Sequence, residues 1–292
     1  TNIVGHHVSS DGNYGQANNR YGALMVNGKE ANSLDAFSNY TPANTSEFYL
    51  GDNETGNGDA VNNPFTGYIG ELLLYVSPLT APQRDQIESY LAIKYGKTLD
   101  NSAGGTDGDY FSSTSSTIWD ASDGSAYHNN VIALARDDNS ALYQRQSHIA
   151  SDSVRLYIGD LATVNRANSA AFGGDEQFIV TGDNNAPIAN NSGNTEYPVN
   201  MGILNRIDRE WKITNTNFSD SFSIDIKPAA GVYDTSKIRI LIDDDGDFTN
   251  AALYSPPINY ANGVLTLASL STEMIPANST RYLAVVTIAS PG

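Results

Sequence analysis

The chain contains no cysteine. Disulfide bridges, thiolate nucleophiles and thiolate metal sites are excluded together by that single absence. Cations are scarce: 16 Lys and Arg stand against 33 Asp and Glu, for a formal charge of −17. Nucleic-acid backbones and anionic lipid surfaces are bound through basic footprints, so neither is an expected partner. No apolar run reaches the ~18 residues that a membrane helix needs, and no membrane insertion is expected. The Gly-x-Ser-x-Gly elbow, the phosphate loop and His-Glu-x-x-His are also missing, and with them the sequence signatures of several large enzyme classes. Thr1-Asn2-Ile3-Val4 has neither the basic start nor the apolar run of a secretion signal, so the chain reads as a mature or cut fragment.

What fills the sequence instead is turn chemistry. Charged residues make up 17% and hydrophobic residues 40%, leaving room for abundant Asn, Ser, Thr, Gly and Asp. These residues favour short connections between strands, and 17 Tyr suit half-buried strand faces, so a mainly β protein is expected. At 292 residues there is length for two or three domains with cores of their own. The acidity fits a solvated secreted or cell-surface protein and supplies oxygen ligands for hard cations such as Ca²⁺.

Hydrophobic patterning divides the chain into residues 1–100, 101–200 and 201–292. The first region has short strand-like runs at 3–8, 22–28 and 47–51, then a long apolar run from Phe65 to Val76. A helix over 80–96 follows. Thr80 is placed to cap it, Gln83 to complete a capping box and Gly96 to stop it, with an apolar stripe expected at Ile87, Leu91 and Tyr95. Strands are expected near 131–135, 154–158 and 177–181. The last region alternates cleanly at 209–214, 222–226, 238–242, 264–267 and 281–286, as a small antiparallel sandwich does.

The stretches Val26-Asn27-Gly28, Tyr49-Leu50-Gly51 and Phe65 to Tyr75, with the helix Arg84 to Gly96, resemble the end of a concanavalin-A-like, laminin-G-type jelly roll. Such domains occur in large secreted surface proteins of marine and Bacteroidetes-type bacteria. There the helix leads into an uncharacterised β-rich module, which Ile118-Trp119, Ala135-Arg136-Asp137-Asp138 and Arg209-Glu210-Trp211-Lys212-Ile213 resemble. The resemblance implies a partial jelly roll with one capping helix, then one or two antiparallel β-sandwich modules. It implies a non-catalytic extracellular module of an adhesin or cell-surface assembly. Because strands of the jelly roll would be missing before Thr1, a complementary strand segment or a neighbouring subunit is an expected partner. The alternatives are a lectin-like carbohydrate-binding module and an extracellular filament subunit completed by its neighbours' strands.

Candidate sites are few. In Ile242-Asp243-Asp244-Asp245-Gly246-Asp247-Phe248, the alternating Asp243, Asp245 and Asp247 can converge on one Ca²⁺, while Gly246 allows a tight turn. An ordinary acidic hairpin turn reads equally well, because Gly246 is the fourth and Tyr254 the twelfth residue from Asp243, which breaks the EF-hand register. His6 and His7 are neighbours on a strand and point to opposite faces, so they do not share an ion. Glycoside hydrolysis on a jelly roll needs two nearby carboxyl groups, but the neighbours of Glu71 at two residues either side are Ile69 and Leu73. For binding a glycan or cell-surface protein, Asp11, Asn13, Tyr14, Asn18, Asn19 and Tyr21 gather amides, a carboxylate and aromatics in one early loop.

Overall fold

The computed structural model describes residues 3–9, 21–27, 29–35, 66–75, 79–102, 106–229 and 233–289. The chain divides into two compact units. One comprises Thr1–Gly5, Met25–Ala31 and Thr80–Gly292, the other His6–Leu24 and Asn32–Leu79. Strands β1 (Val4–Ser9), β2 (Tyr21–Val26) and β3 (Lys29–Asp35) form a three-stranded sheet in that order. The strand expected at 47–51 lies outside the described residues. The long strand expected from Phe65 to Val76 is corrected, since residues 66–75 belong to no strand. Tyr68, Leu74 and Tyr75 are exposed there. A run that is apolar on both faces makes a strand only when neighbours supply hydrogen bonds at both edges, and no described strand pairs with it.

Helix α1 (Ala81–Tyr95) forms as its ends dictate. Thr80 Oγ1 accepts from the Gln83 N–H, and Gln83 Oε1 accepts from the Thr80 N–H at 2.9 Å. Gly96 closes the helix in the left-handed region, φ 59°. A Cβ there would meet the His148 carbonyl at 2.7 Å, so the helix end and that carbonyl approach as closely as a glycine permits. The buried face differs from the expected stripe: Ser89, Ala92 and Ile93 point inward, with Tyr90 and Leu91 half-buried beside them. Ser89 earns that position through hydrogen bonding. Its hydroxyl donates to the Asp85 carbonyl and accepts from the Phe111 N–H at 2.9 Å.

The remaining strands are β4 (Tyr110–Phe111), β5 (Thr117–Trp119), β6 (Asn129–Asp137), β7 (Leu142–Gln144), β8 (Gln146–His148), β9 (Val154–Tyr157) and β10 (Gln177–Asp183). After them come β11 (Asn190–Asn191), β12 (Ile203–Thr216), β13 (Phe222–Ile226), β14 (Ile238–Asp243), β15 (Ala252–Tyr254), β16 (Ile258–Ala261), β17 (Val264–Leu270) and β18 (Ser279–Ile288). An eight-stranded sheet runs β15-β14-β18-β12-β10-β6-β7, with β11 also on β12. A five-stranded sheet runs β16-β17-β13-β9-β8. Both sheets contain strands from 101–200 and from 201–292, joined where β10 pairs with β12 and where β9 pairs with β13, so the two regions form one antiparallel sandwich rather than two modules. The protein is therefore mainly β, with one long helix among the described residues.

Period-2 alternation explains the layers. Ile132, Leu134, Ile179, Trp211, Ile213, Ile240 and Leu283 of the large sheet meet Leu156, Ile224, Leu265 and Leu267 of the small one. Each fully buried aliphatic side chain of this kind contributes about 1.5–3 kcal/mol. The other face of the large sheet is covered as well. Val131, Ala133, Ala135 and Val180 pack under Ala92 and Ile93 of α1 and under Trp119. Further along, Leu241, Tyr282, Ala284 and Val286 pack under Phe248 and Ala251.

Candidate functional site

Strand β12 carries buried charged groups on the outer face of the large sheet. Alternation along β12 sends Ile207, Trp211 and Ile213 into the sandwich, and Arg206, Glu210 and Lys212 to the other side. These three are buried too, with Arg206 and Lys212 each only 1% exposed. Arg206 Nη2 pairs with Glu210 at 2.5 Å and with Glu196 at 2.8 Å, and its guanidinium lies 4.9 Å from the Phe248 ring centre. Tyr127 donates its hydroxyl to the second oxygen of Glu210 at 2.6 Å. Burial, and then that donation to a carboxylate, push the Tyr127 phenol up. Lys212 Nζ bonds the Asp123 carboxylate at 3.0 Å and the Asp123 carbonyl, and lies 4.8 Å from the Trp119 ring centre. Through Glu196, Tyr127 and Asp123 these bonds tie connecting segments down onto the sheet.

The acidic loop follows β14 and is built as a relay. Asp243 Oδ2 accepts from the N–H groups of Asp245 at 2.9 Å and Gly246 at 2.6 Å. Asp245 Oδ1 accepts from the Asp247 N–H, and Asp247 Oδ1 from the Thr249 N–H. The every-second-residue spacing is thus the spacing of successive side-chain-to-backbone turns. Gly246 takes φ 88° at the sharpest point. Carboxylate oxygens of Asp243, Asp244 and Asp245 lie within 4.8 Å of one another. Asp247, expected as a ligand beside Asp243 and Asp245, stands outside that group, because it caps the short helical turn Phe248–Asn250. Burial holds the Asp243 carboxyl above its ordinary range, with the neighbouring Asp245 adding to it. The Thr249 hydrogen bonds hold Asp247 below its own.

Of the early-loop candidates, Asp11, Asn13, Tyr14, Asn18 and Asn19 lie outside the described residues, and Tyr21 opens β2. His128 is buried: its Nδ1 accepts from Trp119 Nε1 at 3.0 Å and its Nε2 bonds the Leu99 carbonyl at 2.8 Å. Burial depresses its basicity, and both nitrogens serve the fold. A carboxylate group that carried no motif sits on α1. Burial, then Asp85, raises Glu88 to about 7. Burial raises Asp85 as well, and Asp107 adds to both. Pattern reasoning gave no hint of it, since acids on an amphipathic helix read as a solvated face.

Two open clefts lie among the described residues. One, of about 390 Å³, lies beside the acidic loop and includes Asp243, Asp244, Asn250, Tyr254, Glu273 and Arg281 in its lining. The other, of about 670 Å³, lies where the end of α1 meets β7, β8 and the loop at 161–165.

The model of one family, a domain of unknown function designated DUF8202, matches residues 83–273. The chain belongs to that family. No curated protein and no solved structure matches it. The matched span begins inside the first turn of α1 and ends after β17, so it takes in the helix and most of the sandwich.

Proposed function

We propose that this DUF8202 chain is a non-catalytic extracellular module of a bacterial adhesin or cell-surface assembly. The observation that carries the reading is the arrangement of its buried charge. Arg206 with Glu196 and Lys212 with Asp123 clamp connecting segments to one wide sheet, while Arg209 with Asp183 ties its strands β12 and β10 together. Such an arrangement makes a stiff platform. Catalytic sites concentrate perturbed acids and bases where a substrate reaches them, whereas here buried cations are matched to structural partners. A strongly acidic surface and the lack of cysteine suit the same setting. Antibodies against the purified chain should label intact cells of the organism that encodes it. Labelling only after lysis would overturn the reading.

Calcium at Asp243, Asp244 and Asp245 is a separate element of this proposal. The hydrogen-bond relay closes the loop without a cation, so an ion would add rigidity rather than create the turn. A fall in melting temperature on EGTA treatment, restored by Ca²⁺, supports it; an unchanged melting temperature removes the ion from the proposal.

A further inference from the structure

The larger cleft is built to stay open. The chain leaves the large sheet at β7 and enters the small one at β8 with only Arg145 between them, so the cleft lies at a corner of the sandwich. Asn165 braces that corner. Its Oδ1 accepts from the Arg145 N–H at 2.6 Å and the Gln146 N–H at 3.3 Å, and its Nδ2 donates to the Tyr143 carbonyl at 2.8 Å. The Gln146 amide holds the facing loop by bonding both backbone groups of Ala162, at 2.8 and 2.9 Å. At the helix end, the close approach of Gly96 to the His148 carbonyl fixes the floor. A preformed cleft of about 670 Å³ falls in the size range of small-molecule sites, roughly 300–1,000 Å³.

The chemistry of the lining selects among ligands. Its carboxylate and one of its cations are already matched: Arg155 grips Asp152 through two bonds of 2.6 and 2.5 Å, and Lys227 adds a third contact to the same carboxylate. The ammonium of Lys94 bonds the Tyr90 hydroxyl and lies against the Tyr90 and Tyr95 rings. An anion entering here would face Asp152 and would have to break these contacts. What remains is amide, hydroxyl, imidazole and apolar surface. The Gln144 amide donates its N–H to the Gln146 carbonyl and leaves Oε1 to accept. His148 Nδ1 bonds the Ile149 carbonyl at 2.9 Å, and its other ring nitrogen, Nε2, is available to a ligand. The hydroxyls of Ser147 and Thr163 both donate and accept. Leu161 and Val164, exposed on the loop, and the Tyr95 ring add apolar surface. Amide, imidazole and hydroxyl groups beside apolar patches match a molecule with alternating hydroxyls and C–H faces.

We propose that this cleft binds a neutral saccharide of one or two sugar rings, a proposal that rests on the non-catalytic reading and gives it a ligand class. The test uses the full chain on an array of neutral, sialylated and sulfated glycans, followed by calorimetry with the strongest neutral one. Two variants at exposed positions accompany it, Thr163→Trp to fill the cleft and His148→Ala to remove one hydrogen-bonding group. Circular dichroism melting verifies that each is folded. The expected result is retention of neutral glycans, abolished by Thr163→Trp and weakened about tenfold by His148→Ala, the loss of about one good hydrogen bond. Retention of no glycan, retention of anionic glycans alone, or an affinity unchanged in the folded variants would overturn the assignment. Mass spectrometry of the recovered glycan separates the two readings. Cleaved glycan would refute the non-catalytic reading and leave the site standing, whereas intact but unbound glycan would refute the site and leave the surface-module reading to the labelling experiment.

Discussion

The two faces of β12 are buried to the same degree by opposite means. Toward the small sheet, Ile207, Trp211 and Ile213 enter an aliphatic and aromatic core. Toward the other side, Arg206, Glu210 and Lys212 are buried in pairs and triads with Glu196, Tyr127 and Asp123. The inner face is stabilised by removal of apolar area from water, which tolerates some change of shape. The outer face depends on matching, and an unmatched charge in such a place is costly. The comparison predicts that substitutions on the outer face will divide sharply according to what they leave behind, while those on the inner face will scale with volume.

The largest effect is expected at Glu210. Glu210→Ala leaves the buried Arg206, whose Nε and Nη1 already make no hydrogen bond, with only the half-exposed Glu196 as a carboxylate partner, and removes the acceptor of Tyr127. The expected loss is about 3–5 kcal/mol, read from the urea midpoint. The double substitution Arg206→Met with Glu210→Leu should recover most of it, because it replaces a charge pair by apolar contacts beside Phe248. A double variant as unstable as the single one would show that the cost lies in shape rather than charge, and the contrast between the faces would fail.

That contrast also marks where the sequence stops being legible. The inner face could be read directly, because Ile238-Arg239-Ile240-Leu241-Ile242 and Phe222-Ser223-Ile224 alternate as half-buried strands do. The helix was readable from Thr80, Gln83 and Gly96, since caps are local chemistry. Arg206, Glu210 and Lys212 sit at polar positions of an alternating strand, a pattern identical for a wet face and for one covered by loops arriving from residues 120–127 and 243–251. The same blindness to long-range pairing suggested a boundary between 200 and 201, although β12 pairs with β10 on one side and β18 on the other. It also promised a strand from Phe65 to Val76, where residues 66–75 belong to none. In the acidic loop the turn was legible, whereas the capping role of Asp247 was not, because it depends on Thr249 two residues later.

Intermediate effects extend the comparison to the helix that covers the outer face. Glu88 is raised to about 7, by burial first and then by Asp85 and Asp107, with Arg84 opposing. Its folded form therefore holds a proton that the unfolded chain releases near its ordinary value of 4.5. The associated stability is complete below pH 4.5 and is lost as pH rises to about 7, on the order of 1–3 kcal/mol. Glu88→Gln should flatten that part of the stability–pH curve, and an unchanged curve would place the carboxyl in water. On the inner face, Ile240→Val removes one buried methylene beside the small sheet and should cost about 0.5–1.5 kcal/mol at all pH values.

The smallest effect is expected where intuition about a buried charge suggests the largest. Lys212 is as buried as Arg206, yet its carboxylate partner, Asp123, is 62% exposed on its side chain. Lys212→Met would leave that carboxylate free to be hydrated, keep the aliphatic stem against Trp119, and strand no ionised group inside the protein. The expected change is within about 1 kcal/mol of zero, measured by the same urea titration. A loss comparable to that of Glu210→Ala would mean that the Asp120 and Asp123 carbonyls depend on the ammonium to hold their turn. The difference between the faces would then rest on anchoring of loops rather than on the fate of the abandoned charge.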